Sequence, residues 1–248
     1  MAVDCVVDYD PCSPTIPHMS SEPAQGTSGS NRLTRGAIVD AYIALADREG
    51  KAEVSLRLLG EALGVDPTAV YRHFRDKSDL LPAVADRLLA EVADAFQPCG
   101  DWRQDVRTMA LEAREVYVAH PQLARLLAES PAPLPNNERL MEVSLGALRS
   151  SGLSDAEAAN AMELLENYIA GVSSLSAEMG TAEDEAWRRQ LAALPPDRFP
   201  NTTAVAKHLY RGDRENFEFG LDLILDALQT RADQGSGRSS PGGSPPTA

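Results

Sequence analysis

The sequence predicts an all-α protein, with an N-terminal three-helix unit containing a helix-turn-helix and a larger helical C-terminal domain. Apolar residues recur at helical spacing, as at Leu56, Leu59 and Leu63. Aromatic residues make up only 5% of the chain while alanine and leucine are common, which favours helices. A chain of 248 residues is long enough to bury a sizeable core in one or two domains.

The helix-turn-helix is predicted from its capping residues. Ser55 is a candidate N-cap for the first short helix, and Gly64 follows the last apolar position of that helix. Asp66 and Pro67 then begin the second helix as a capping carboxylate followed by a proline in the first turn. Two short helices joined by such a turn make a motif whose second helix enters the major groove of DNA.

The polar faces of the second helix suit DNA, although a solvated helical corner is the alternative interpretation of the spacing. Thr68 can hydrogen-bond a base edge or a phosphate, and the small Ala69 can lie against a thymine methyl group. Tyr71, His73 and Lys77 can donate to phosphate oxygens.

Residues 33–77 resemble the DNA-binding domain of the tetracycline-repressor (TetR) family. The resemblance rests on Leu63-Gly64-Val65, on Tyr71 followed by His73-Phe74, and on Lys77, with Gly60 departing from the family's usual alanine. It implies phosphate contacts from Tyr71, His73 and Lys77, a helix-start hydroxyl at Ser55 and a base-contacting arginine at Arg57. The predicted DNA-binding residues are Ser55, Arg57, Pro67, Thr68, Ala69, Tyr71, Arg72, His73 and Lys77.

The charge distribution agrees with a DNA-binding segment in an acidic chain of net charge −14. Residues 1–30 carry four acidic residues and no Lys or Arg, whereas residues 31–77 carry eight basic and seven acidic residues. The remaining 15 basic and 26 acidic residues fall in 78–248. An acidic remainder weakens non-specific DNA binding, so specific contacts decide the affinity.

The C-terminal part is predicted as a series of helices followed by an irregular segment. The predicted helices are, in order, 78–96, one capped by Asp101 and ended by His120-Pro121, Gln122–Glu129, 136–150 and 154–179, the last opened by a capping box at Ser154 and Glu157. Residues 180–212 are predicted as an irregular loop region over the helical body.

The apolar surface of the final helix, which is predicted at 213–231, indicates a dimer. It has one narrow polar stripe and is apolar around the rest, so it must be covered on more than one side. Its segment 217–224 is similar to the last helix of the tetracycline-repressor subgroup, in which this helix and the long one before the irregular segment form a dimeric four-helix bundle. The resemblance implies a homodimer, with Leu221, Ile224, Leu225 and Leu228 between their own core and a second chain, on near-palindromic double-stranded operator DNA.

Family members bind a small molecule in the C-terminal domain and then release DNA, so the resemblance also implies an effector. The predicted ligand-binding residues are Phe96, Met109, Ala113, Tyr117, Leu127, Met162, Asn167 and Tyr168; plain core is the alternative for each. Glu163 and Glu166 lie beside Asn167 and can hydrogen-bond a ligand or form a solvated face. The tetracycline repressor uses histidines where this chain has Leu127 and Asn167, so a larger apolar or aromatic compound is expected rather than magnesium–tetracycline.

The sequence thus predicts a DNA-binding transcriptional repressor released from its operator by a small molecule. The alternative is a ligand-independent DNA-binding regulator or a nucleoid or division-linked factor. No G-x-S-x-G, P-loop, H-E-x-x-H or G-x-G-x-x-G motif indicates an enzyme, and we expect no cofactor or metal. The three cysteines have no metal or redox spacing, and no apolar stretch reaches membrane-spanning length, so we expect a cytoplasmic protein.

The predicted domain organisation has four parts. Disordered tails are expected at 1–30 and 232–248, which are rich in Ser, Pro and Gly. The DNA-binding domain is expected at 31–77 and the ligand-binding and dimerisation domain at 78–231. Met19 is an alternative start to Met1.

Overall fold

The computed structural model describes residues 33–123, 126, 134–178, 181–209 and 214–238. These residues form α-helices, two short 3-10 turns and connecting segments, with no strand among them. The helices are α1 (Arg35–Glu49), α2 (Leu56–Leu63), α3 (Pro67–Tyr71), α4 (Lys77–Ala95), α5 (Trp102–Ala119), α6 (Pro135–Ser150), α7 (Asp155–Glu178), α8 (Thr181–Ala192), α9 (Pro200–Val205) and α10 (Arg214–Arg238). The all-α prediction is confirmed.

The caps of the N-terminal helices follow the sequence expectation. The Ser55 hydroxyl accepts from the Leu58 backbone N–H at 3.1 Å, and Gly64 ends α2 with a φ of 66°. The Asp66 carboxylate accepts from the Thr68 N–H at 2.8 Å, with Pro67 in the first turn of α3. Each cap satisfies a backbone group that the helix itself leaves without a partner.

A close crossing holds α2 against the start of α3. A Cβ atom at Gly60 would lie 3.1 Å from the Pro67 Cα and 3.2 Å from the Val65 carbonyl oxygen. Both neighbours are backbone atoms, which cannot rotate away as a side chain can. Glycine at position 60 therefore lets the two helices approach more closely than an alanine would allow.

One apolar core holds α1, α2 and α3 against α4. Its largest fully buried side chains include Ile38, Tyr42, Leu59, Phe74 and Leu88. The Tyr42 hydroxyl donates to the Ala52 carbonyl oxygen at 2.7 Å, so the one polar group of that ring is satisfied inside the core. This packing holds α3 at the surface in a single orientation.

A second core joins Phe96, α5, α6, α7 and α10. The prediction for α10 is partly wrong: Leu221 and Leu225 are fully buried, Leu228 nearly so, and Ile224 half-buried, all against their own chain. The large apolar side chains that α10 leaves exposed are instead Phe219 and Leu223, at 65% and 55%. Helical geometry turns these two away from the face that carries Leu221 and Leu225.

The polar stripe of α10 is covered by arginines of α5. Arg107 forms ion pairs with Glu218, at 2.8 Å, and with Asp222, while Arg103 pairs with Asp226 at 2.7 Å. The two helices are therefore joined by charge along their rims as well as by apolar packing. The sequence pattern did not predict this pairing, because the arginines lie more than 100 residues before the acids.

Two sequence boundaries need correction. The segment 180–212, predicted as an irregular loop, contains α8 and α9 followed by a 3-10 turn at Ala206–His208. These short elements pack on one another. The prolines of this segment suggested a loop, but they do not prevent short helices between them. The final helix, predicted to end at 231, continues as α10 to Arg238 and buries Ala232.

A short segment after α5 returns to the N-terminal core. The 3-10 turn Pro121–Leu123 contacts α1, and Leu123 is fully buried among the residues of the first core. The His120 Nδ1 atom lies 2.8 Å from a carboxylate oxygen of Asp47 in α1. Of the helix predicted at 122–129, only residues 122, 123 and 126 are described, and Leu127 lies outside the described residues.

Candidate DNA-binding face and ligand cavity

The predicted DNA-binding residues share the outer side of α2, α3 and the start of α4. Tyr71 is 53% exposed, although aromatic rings are usually more buried than this. The other members are exposed or half-buried: Ser55, Arg57, Pro67, Thr68, Ala69, Arg72, His73 and Lys77. Val70 and Phe74, in contrast, are fully buried beneath them. The helix thus separates a core side from an outward polar side, as predicted.

Two capping aspartates frame this face. Hydrogen bonds from Thr68 hold the pKa of the Asp66 carboxyl below its usual value, and a hydrogen bond from Ser78, followed by one from the Asp79 N–H, does the same for Asp76. Both carboxylates are therefore charged at neutral pH. The Thr68 side chain is hydrogen-bonded to Asp66, so its hydroxyl can accept from a base donor in that state but must leave Asp66 to donate to a base acceptor.

Two arginines of this unit contact other residues of the same chain. Arg57 is exposed and pairs with Glu61 one turn later, at 2.8 Å. Arg35 stacks over the Phe74 ring at 3.9 Å from its centroid, and it donates to the His73 carbonyl oxygen. Arg35 thus holds the segment that follows α3 in place, whereas the guanidinium of Arg57 can exchange Glu61 for another acceptor.

The C-terminal domain contains a cavity of about 350 Å³ between α4, α5, α6 and α7. Five of the predicted ligand-binding residues line it: Met109, Ala113, Tyr117, Met162 and Asn167. Most of the remaining lining is aliphatic, including Leu89 and Val92 of α4. An apolar wall with a few polar groups is the usual composition of a small-molecule site.

The polar groups of the cavity include side chains that sequence reasoning missed or left open. Asn137 and Ser144 of α6 line it, as does Glu166 of α7, which the sequence left open between a ligand contact and a solvated face. The Ser144 hydroxyl donates to the Met109 sulfur at 3.6 Å. Burial raises the pKa of Tyr117 to about 12, with the Glu166 charge as a second cause. The phenol is therefore a neutral hydroxyl at physiological pH.

Phe96 and Tyr168 lie outside this cavity. Phe96 is buried in the second core, and Tyr168 turns towards α10, where its hydroxyl donates to the Phe217 carbonyl oxygen at 2.7 Å. A Cβ atom at Gly220 would overlap the Tyr168 hydroxyl, so that glycine makes room for the tyrosine. Helical spacing predicts which side chains point into the protein, but it does not predict whether such a side chain meets a cavity or a neighbouring helix.

Among the residues that the structure describes, no three His, Cys, Asp or Glu side chains come together in a way that could hold a metal ion. No helix in these same ranges combines the length and the apolar character needed to cross a membrane.

Together, the fold and the two sites define a helix-turn-helix DNA-binding protein with a cavity in a separate helical domain. The family model for bacterial regulatory proteins of the tetR family matches residues 38–84, and the model for the tetracyclin repressor-like C-terminal domain matches residues 96–232. The chain belongs to the TetR family. It is a DNA-binding transcriptional repressor of that family and not an enzyme.

Relatives of known name extend the comparison. The repressor DrrR1 of Streptomyces coeruleorubidus is 29% identical over 226 residues, which cover 84% of this chain and 82% of DrrR1. Apo ActR of Streptomyces coelicolor has a TM-score of 0.73 at 29% identity, covering 82% of this chain and 97% of ActR. A further ActR structure, in complex with actinorhodin, has a TM-score of 0.69 at 30% identity, covering 81% and 98%.

A DNA-bound structure is also similar. BioQ with its double-stranded DNA operator has a TM-score of 0.57 at 25% identity, covering 80% of this chain and 99% of BioQ.

Proposed function

We propose that this repressor leaves its operator when a small molecule occupies the cavity between α4, α5, α6 and α7. One observation carries the proposal: α4 begins at Lys77 beside the DNA-binding face and contributes Leu89 and Val92 to the cavity wall. These positions are about 20 Å apart along one continuous helix. A ligand that pushes on the cavity end of α4 therefore moves the end that holds α3.

A second connection supports the same coupling. The cavity residue Tyr117 lies in the last turn of α5, and the chain that follows it buries Leu123 in the N-terminal core. His120 contacts Asp47 of α1 from this segment. A displacement of α5 by a ligand is thus transmitted to α1 as well as to α4. The structure of ActR with actinorhodin supports a small-molecule ligand for a relative of this fold.

On the DNA side, we assign Tyr71, His73, Lys77 and the Ser55 hydroxyl to phosphates, and Arg57, Thr68 and Ala69 to bases. Pro67 is the first residue of α3 and Arg72 follows its last residue. We assign both to contacts with the DNA backbone. The outward exposure of these residues above a fully buried Val70 and Phe74 supports the assignment. The structure of BioQ with its double-stranded DNA operator supports operator binding by a chain of this fold.

We further propose a homodimer formed by α7 and α10. Leu164 of α7 is 51% exposed, and Phe219 and Leu223 of α10 are still more exposed. A second copy of the chain is the natural cover, because a helix-turn-helix repressor reads two half-sites about 34–36 Å apart with two recognition helices. Ion pairs already occupy the polar stripe of α10, so the apolar residues form its free face.

The ligand is mostly apolar, and magnesium–tetracycline does not suit this wall. None of the described residues lining the cavity is a histidine, and the family resemblance puts Asn167 where the tetracycline repressor has one. The Asn167 amide already donates to the Glu163 carbonyl oxygen at 2.8 Å.

The experiment is operator binding with and without an inducer found by a thermal-shift screen. Met109→Ala is expected to bind the operator like the parent but to lose most of the inducer response, because it removes a wall contact of the ligand. Val118→Ala is the matched control: it removes an exposed apolar side chain of the same helix, outside the cavity.

The expected coupling between ligand and operator is about 1–3 kcal/mol, or roughly 5–150-fold in operator affinity. By linkage, operator DNA must weaken ligand binding by the same factor. An inducer that acts equally on the parent and on Met109→Ala would show that the ligand binds elsewhere. A screen in which no stabilising compound changes operator affinity would favour a ligand-independent regulator instead.

A further inference from the structure

One charged group lies in the wall of an otherwise apolar cavity. Among the described residues that line it, Glu166 is the only one with a formal charge at neutral pH. The carboxylate lies on α7, and no described residue forms a hydrogen bond or ion pair with it. Glu166 is solvent-exposed where it lines the cavity, so water solvates its charge when the cavity holds no ligand. A bound ligand would displace part of that water, and an unpaired carboxylate would then be costly.

The basic residues of α5 and α6 are already paired with other acids. On α6, Arg139 pairs with Asp94 at 3.0 Å and Arg149 with Asp155 at 2.8 Å. On α5, Arg107 is held by the acids of α10. The described chain therefore leaves the charge of Glu166 uncompensated on the cavity side.

The surroundings of Glu166 disfavour its negative charge, so a cation placed beside it would be stabilising. Partial burial raises the pKa of the Glu166 carboxyl, and the charge of Glu163 raises it further. The phenol of Tyr117 lies close enough to Glu166 that the carboxylate charge raises the pKa of the phenol. A carboxylate beside an aromatic ring suits a protonated nitrogen, which gains both an ion pair and a contact with the ring face.

We propose that the cavity binds an organic cation: a mostly apolar molecule with one protonated nitrogen, whose charge pairs with Glu166 beside Tyr117. This inference rests on the proposed function, since it specifies the ligand of the same cavity. Organic anions of similar shape are disfavoured, because they would place a second negative charge beside Glu166 within an acidic domain. Neutral molecules leave the carboxylate unpaired.

The test compares three probes with the same ring system on the full-length protein without DNA. At pH 7.5, 9-aminoacridine is a cation, acridone is neutral and acridine-9-carboxylate is an anion. Equilibrium dialysis gives the affinity of each probe for the parent and for two variants. Glu166→Gln removes the proposed partner at nearly constant shape, and Glu163→Gln removes an equal charge three residues away, outside the cavity wall.

We expect 9-aminoacridine to bind the parent at least about tenfold more tightly than acridone, because a charged hydrogen bond is stronger than a neutral one. Glu166→Gln should remove most of that preference and leave acridone binding unchanged, which also shows that the cavity is intact. Glu163→Gln should change the affinity for 9-aminoacridine by less than about threefold, since Glu163 does not line the cavity and solvent and salt screen its charge from a ligand inside it.

Equal or tighter binding of acridone or of the carboxylate would overturn the inference, as would a preference for the cation that survives Glu166→Gln. Failure of all three probes to bind would overturn it too. The proposed function is judged separately by operator release. Because 9-aminoacridine also binds DNA, release is compared between the parent and Glu166→Gln at equal dye concentration. Glu166-dependent binding without Glu166-dependent release would support the cation site and count against the proposed switch.

Discussion

The exposed apolar residues of α10 allow a quantitative test of the proposed dimer. Phe219 is 65% exposed and Leu223 is 55% exposed in the single chain. Complete burial of such a side chain contributes about 1.5–3 kcal/mol, so covering the exposed part contributes about 1–2 kcal/mol per copy. A two-fold symmetric interface contains each residue twice. Phe219→Ala or Leu223→Ala is therefore expected to weaken the dimer by about 2–4 kcal/mol, or roughly 30- to 700-fold in Kd.

Sedimentation across a micromolar concentration series measures this change, and thermal unfolding is followed in parallel. Val118→Ala is the control, since it truncates an exposed apolar residue of α5. Leu225→Ala provides the contrast: Leu225 is fully buried in its own chain, so the substitution should lower the free energy of unfolding by about 2–5 kcal/mol. A parent that is monomeric at micromolar concentration, or a dimer that both α10 surface variants leave unchanged, would refute the reasoning.

Three further predictions concern the DNA-binding face and the cavity. Lys77→Ala should weaken binding to the operator and to a scrambled sequence about equally and lower the slope of log affinity against log salt by about 1, as measured by fluorescence anisotropy. Arg57→Ala should relax the preference at one base pair, whereas Glu61→Ala, which only frees the arginine, should keep it; a binding-site selection distinguishes them. Because the pKa of Tyr117 is raised to about 12 in the folded protein, the unfolded chain loses this proton first. The free energy of unfolding should therefore fall as pH rises above about 10, and it should fall less in Tyr117→Phe. Urea denaturation of both proteins at several pH values measures the difference.

The sequence alone was sufficient for the local structure of the N-terminal unit. The caps at Ser55 and Asp66 and the positive φ of Gly64 all depend on interactions within a few residues. Such interactions follow from residue type and spacing, because the helix itself determines which groups need a partner. The assignment of the outward face of α3 to DNA relied in addition on the TetR resemblance.

Only the tertiary structure decided which inward or outward faces meet which neighbours. Met109 and Phe96 are both apolar and both buried in the second core, but only Met109 lines the cavity. The same holds for α10, where Leu225 is covered by its own chain and Leu223 is not. Glu166 acquires its place in the cavity wall from α4, α5 and α6, which are distant in sequence. Periodicity determines the angle of a side chain around its own helix axis, but the burial of that side chain depends on how the other helices pack against it.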